Sequence, residues 1–227
     1  MAKLKKQHMT IHWKAIVQDD SSIPATEATL KEKATLVGRI GLMMLSVGTG
    51  AWRVRNSMNK VSRCLGITCT ADIGLLAISY TCIEGTDTYT QSISLPTTGV
   101  NTHKLMELEL FMKEFPDKVS TYSVKHIHEV LDEIQKLPAN YQAWNLGLAS
   151  ALACGAFTFL LGGGPVEMCC AFLGAGVGNF VRKKMLGHSI SLLANVAVSV
   201  AASCLVYVLT ILLAQQLLSV SAVHQAG

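Results

Sequence analysis

Between Ala143 and Ala214 the chain reads AWNLGLASALACGAFTFLLGGG (143–164), VEMCCAFLGAGVGNFV (166–181) and ISLLANVAVSVAASCLVYVLTILLA (190–214), and these stretches decide the architecture. The first and third hold no charged residue, and the second holds only Glu167. An α-helix needs about 20 apolar residues to cross the hydrocarbon core of a bilayer. The outer two runs meet that length, and the middle one reaches it by borrowing from the Gly-Pro turn before it. The reading is a polytopic α-helical membrane domain over 139–227, with spans at 143–164, 165–181 and 190–214.

Composition supports a chain in two parts. Of its 227 residues 50% are hydrophobic and 15% charged, yet beyond Pro138 only Glu167, Arg182, Lys183 and Lys184 carry charge. A net charge of +4, scattered along the chain, does not make a nucleic-acid footprint. Seven cysteines, four of them inside the apolar runs, do not make a disulfide framework and fit reduced thiols in a cytoplasmic setting. Lys3, Lys5 and Lys6 are followed by His8, His12, Lys14, Asp19 and Asp20 rather than by an apolar core, so the start does not read as a signal peptide. Residues 1–27 are expected to be a flexible tail, and residues 28–138 a cytoplasmic α+β domain.

Within that domain, apolar positions from Leu30 to Leu45 recur at helical spacing, and Gly48 and Gly50 end the helix. A second helix is expected over Ala51–Leu65, closed by Gly66. Two strands follow, Ile67–Tyr80 and Ile83–Leu95, joined by a turn at Glu84-Gly85-Thr86-Asp87. Asn101 or Thr102 caps a helix running to Phe115, where Pro116-Asp117 is expected to break it. Ser123 caps a last helix to Leu137, whose apolar face is Val124, Ile127, Leu131 and Ile134. The order is α-α-β-β-α-α.

These residues carry a resemblance. Gly41-Leu42-Met43-Met44-Leu45-Ser46-Val47-Gly48-Thr49-Gly50-Ala51-Trp52-Arg53-Val54 resembles the amino-terminal signature of the threonine/serine exporter family, a leucine-rich helix, a small-residue turn and an aromatic-Arg-Val opening. Cys64-Leu65-Gly66 and Gly99-Val100-Asn101-Thr102-His103-Lys104-Leu105 are similar to further parts of it, over roughly Ala34 to Ala214. Arg55 stands where that family has an acidic residue, and only Leu217 to Gly227 follow the third run, where the family continues. The resemblance implies one half of a secondary exporter, not an enzyme. Its cargo would be threonine or serine, or a dicarboxylate such as succinate in two-subunit relatives. A separate membrane subunit would supply the carboxy-terminal half, in a homo- or hetero-oligomer within the lipid bilayer.

Charge gives the expected topology. Arg182-Lys183-Lys184 in the joint after the second run places that joint in the cytoplasm by the positive-inside rule. The soluble half then lies inside and the Gly162–Glu167 turn outside, in the cell membrane.

The third run carries Ser191, Asn195, Ser199, Ser203 and Tyr207 at intervals of four. At about 100° per residue this stripe winds slowly round the helix while reaching deep into the bilayer. It is either interhelical glue or a substrate-lining face. Glu167 at the outer turn and Asn179 near the inner end of the second span are further candidates for the substrate path. Gly147, Ala151 and Gly155, and Gly174 with Gly178, mark close helix contact. His126 and His128 fall on nearly opposite helix faces, the wrong spacing for a metal, and no cofactor or catalytic set is expected. The alternative function is a membrane-anchored ligand-binding or interaction protein without transport.

Overall fold

In the computed structural model, residues 11–17, 23–95, 98–138, 143–185 and 192–225 are described. They belong to two compact units, Met1–Ala139 and Asn140–Gly227.

The first unit is built round helix α1 (Leu30–Ser46). Thr29 and Glu32 form a reciprocal capping box, each accepting a backbone N–H of the other, which satisfies donors the first helical turn leaves unpaired. From Glu32 to Leu45 every residue of α1 is buried. A helix covered on all sides must let its neighbours approach closely, and two glycines permit this. A Cβ on Gly38 would lie 2.1 Å from the Tyr80 hydroxyl, and one on Gly41 2.6 Å from the Met58 sulfur. Gly48, at φ 81°, adopts the left-handed conformation that ends the helix.

Helix α2 (Ala51–Cys64) lays Val54, Met58 and Val61 on this core. The antiparallel sheet β1 (Thr68–Ile73), β2 (Ala77–Glu84) and β3 (Asp87–Ser94) follows in that spatial order. Cys69, Ile78, Tyr80, Cys82 and Ile93 are buried on it. Helices α3 (Thr102–Lys118) and α4 (Val124–Lys136) complete the unit, α4 with Ser123 as its cap.

Two expectations need correction here. The first of the two expected strands is in fact two, because the chain reverses at Leu75-Leu76, where the Gly74 N–H donates to the Ala77 carbonyl at 2.8 Å. The apolar run there looked like strand, yet Leu75 is exposed at the tip of the reversal. Nor does Pro116 break α3, which continues to Lys118. A proline cannot donate to the carbonyl four residues back. That carbonyl, on Met112, instead accepts from the Lys60 ammonium of α2 at 2.8 Å.

The second unit holds α5 (Ala143–Leu160), α6 (Pro165–Met185) and α7 (Leu192–Gln225). Pro165 opens α6, a position where its missing N–H costs nothing. Arg182, Lys183 and Lys184 lie in the last turn of α6 rather than in a joint, so their charge meets the negative end of the helix dipole. Helix α7 runs past the expected end at Ala214 to Gln225. Among the described residues, Leu192–Gln216 is long and apolar enough to cross a membrane, and Trp144–Leu160 is apolar but shorter.

Candidate functional site: the seam between α6 and α7

The winding polar stripe meets the glycines of α6. Asn195 and Ser199, on the first two turns of α7, are buried. A Cβ on Gly178 would fall 1.8 Å from the Ser203 hydroxyl and 2.9 Å from the Ser199 carbonyl. One on Gly174 would lie 2.9 Å from the Ser203 carbonyl and 3.4 Å from Cβ of Tyr207. Gly174-x-x-x-Gly178 therefore lets the stripe of α7 sit directly against the α6 backbone, the geometry small residues provide between membrane helices. Gly176, on the other side of α6, faces α5: its Cβ would stand 3.3 Å from that of Ala151.

Polar groups in this seam differ in how well they are satisfied. The Ser199 hydroxyl donates to the Val196 carbonyl of its own helix at 2.9 Å. The Asn195 amide donates to the Arg182 carbonyl near the end of α6 at 3.3 Å. Its Oδ1 is buried and, among the described residues, accepts nothing. A buried acceptor left unpaired costs on the order of 1–3 kcal/mol, which sets Oδ1 apart from the satisfied hydroxyl of Ser199.

The other expected residues are placed as follows. Ser203, Tyr207 and Asn179 are half-buried on the same pair of helices. Glu167 is half-buried in the first turn of α6, its Oε2 2.8 Å from where a Gly164 Cβ would be. That end of α6 is some fifteen residues from Arg182, about 22 Å along the axis, so Glu167 and Asn195 are not brought together. Ser191 lies outside the described residues. A groove of about 280 Å³ between α5 and α6 is walled by Trp144, Leu148, Ala151, Phe172, Val177 and Phe180 and offers no polar side chain.

A second polar constellation, in the first unit, was missed in the sequence. Arg39, buried in the middle of α1, donates to the His128 carbonyl at 2.8 Å and lies 3.1 Å from His128 Nδ1. It also pairs with Asp132 and reaches Gln135 Oε1 at 3.3 Å. Trp13 stacks on the His128 ring, centroids 4.9 Å apart and planes at 12°, and donates its indole N–H to Asp132 at 3.3 Å. A guanidinium has no acceptor, so Nδ1 must accept and the imidazole proton sits on Nε2, buried without a partner among the described residues. Burial, then the adjacent Arg39 charge, push the His128 pKa down to about 3. The ring is neutral and holds α1 to α4. The available signal was a lone arginine among the apolar positions of α1, with His128 and Asp132 four apart on α4.

With this geometry in view, the threonine/serine exporter family model matches residues 35–227. The chain belongs to the threonine/serine exporter family. No curated protein and no solved structure matches it. The match begins inside α1 and runs through both compact units. Family membership groups the chain with transporters of the exporter type.

Proposed function

We propose that the chain is the amino-terminal half of a secondary exporter that carries a small polar metabolite out of the cytoplasm. The cargo is threonine or serine, or a dicarboxylate such as succinate, and a separate membrane subunit completes the pathway. The observation that carries this reading is the family match over residues 35–227. In it α5, α6 and α7 all lie in the bilayer, the soluble unit faces the cytoplasm, and Arg182–Lys184 mark the inner side.

The α6–α7 seam supports a route for the cargo. Asn195 Oδ1 is a buried acceptor with no partner among the described residues, in a unit whose large apolar side chains face outward. The glycine contacts of Ser199 and Ser203 favour a second role for those two, as close-packing residues that set the width of the seam.

Efflux of labelled threonine, serine and succinate from cells lacking the native chain tests the proposal. Complementation by the unaltered chain with its partner subunit restores efflux of one of these solutes. Asn195→Leu inserts at normal levels and lowers that efflux at least about tenfold, since one lost polar contact of about 1.4 kcal/mol corresponds to a factor of ten. Full efflux by Asn195→Leu would remove the seam from the route. Failure of the unaltered chain to export any of the three would remove the transport reading.

A further inference from the structure

The sheet of the first unit sets two cysteines opposite each other. Cys69 of β1 pairs in register with Cys82 of β2. Both are free, both are buried, and both belong to the core beneath α1 and α2.

The hydrogen-bonding pattern fixes what kind of pair this is. The Gly74 N–H bonds the Ala77 carbonyl, so 74 and 77 form a hydrogen-bonded pair, and alternation along an antiparallel ladder makes 69 and 82 a non-hydrogen-bonded pair. The other ladder agrees. There the Leu95 N–H bonds the Leu76 carbonyl, which directs the backbone groups of Cys82 towards Tyr89 and away from β1. On that same ladder the non-hydrogen-bonded pairs Ser79–Ser92 and Thr81–Thr90 bring their hydroxyls within 2.9 Å of each other, which shows how closely side chains meet at such positions in this sheet. Non-hydrogen-bonded partners have Cα atoms about 4.5 Å apart. Disulfides accept Cα separations of about 4.4–6.8 Å. The two sulfurs can therefore join with no change of register.

We propose that Cys69 and Cys82 are a peroxide-responsive thiol pair that closes to a reversible disulfide across β1 and β2. Cys69 is the attacking group: it lies on an edge strand and keeps 7% of its surface exposed, whereas Cys82 has none. Contact with Cys82 lowers the Cys69 pKa, and contact with Cys69 together with burial raises that of Cys82, so Cys69 is the thiol of the pair that loses its proton first. The Cys69 thiolate attacks a hydroperoxide oxygen, the O–O bond breaks, and the leaving oxygen takes up a proton. Cys69 is then a sulfenic acid. The Cys82 sulfur attacks the Cys69 sulfur, its thiol proton leaves with the hydroxyl as water, and the S–S bond is made. Two thiols are oxidised by two electrons while one hydrogen peroxide becomes two waters. In a reducing compartment such a pair rests as dithiol and closes only under oxidant.

Mass mapping on the full-length wild-type chain in native membranes tests this. Trypsin leaves Cys64, Cys69 and Cys82 in one fragment, residues 64–104, so a further cut at Asp72 is needed to separate Cys69 from Cys82. The expected result is free, alkylatable thiols before treatment. After hydrogen peroxide, a Cys69–Cys82 link forms with loss of two hydrogen atoms and is reversed by dithiothreitol. The Cys82→Ala variant should then trap Cys69 as a sulfenic acid that dimedone labels. Free thiols that persist after peroxide would overturn the proposal, as would a link already closed in untreated membranes. Both results come from the wild-type chain, so they stand whether or not the variant folds.

Discussion

Leu36 and Leu152 are the same side chain in opposite circumstances. Leu36, on α1, has no exposed surface; Leu152, on α5, has 58% of its surface exposed. The contrast extends through both units. In the first, leucines, isoleucines, methionines and aromatics fill the interior. In the second, the buried residues among those described are Gly147, Ala151, Gly155, Cys170, Gly174, Gly178, Asn195 and Ser199, and none is a large hydrophobe. Leucines, valines and phenylalanines of that unit face outward. In water such burial would be unstable, because about 1.5–3 kcal/mol is gained by covering each large apolar side chain. In lipid the outward hydrophobes lose nothing, and contact between helices comes instead from small residues that let backbones approach. On the proposed reading, the two units are folded for two different solvents.

The largest effect that could break this contrast is truncation of the two leucines. Leu36→Ala should destabilise the first unit by about 2–5 kcal/mol, through lost burial and the cavity left behind. Leu152→Ala, in detergent, should stay within about 0.5 kcal/mol, as at a surface site. Hydrogen exchange read separately on the two units measures both, and equal losses would refute the two-solvent account.

Next in size come the glycines. Gly178→Ala puts a methyl group 2.9 Å from the Ser199 carbonyl, a backbone atom that must shift, at a cost of about 1–3 kcal/mol. Gly147→Ala meets the Gly176 carbonyl at an ordinary 3.6 Å and gains up to about 1 kcal/mol of helix propensity. Thermal unfolding in detergent should therefore separate the two variants in opposite directions.

The last effect is a pH dependence of the first unit. His128 has its pKa pushed down to about 3 when folded, against about 6.5 in the unfolded chain. Below 6.5 the unfolded state binds a proton the folded state refuses. Its contribution to stability is therefore complete above pH 6.5 and is lost as pH falls towards 3, by at most about 1.4 kcal/mol per pH unit. His128→Gln should flatten that slope in an unfolding titration between pH 7 and pH 5, and an unchanged slope would show that the ring is not the titrating group.

How far the fold could be read depended on the range of the interactions involved. The start of α1 was legible in the apolar positions that recur at helical spacing from Leu30, and the Thr29–Glu32 capping box found there is just as local. Its end was legible because Gly48 needs φ 81°, a conformation glycine takes at little cost. The separation of β1 from β2 was not: Ile73, Leu75 and Leu76 have strand-like side chains, and only pairing of Gly74 with Ala77 makes a reversal there. Pro116 misled for a similar reason, since the group that relieves the orphaned Met112 carbonyl comes from Lys60, 52 residues away.

The same divide runs through the candidate sites. Spacing by four placed Asn195, Ser199, Ser203 and Tyr207 on one winding line of α7, a consequence of helix geometry alone. That this line meets Gly174 and Gly178, and that Asn195 keeps an acceptor with no partner among the described residues, depends on how α6 lies against α7. The Arg39–His128–Asp132 cluster joins positions 89 and 93 residues apart, and the Cys69–Cys82 pair exists only through the register of two strands. Periodicity and caps act within a few residues and are written in the order of the amino acids. Partners for buried charges, close glycine contacts and opposed thiols are supplied by distant segments, and only the folded chain brings them into reach.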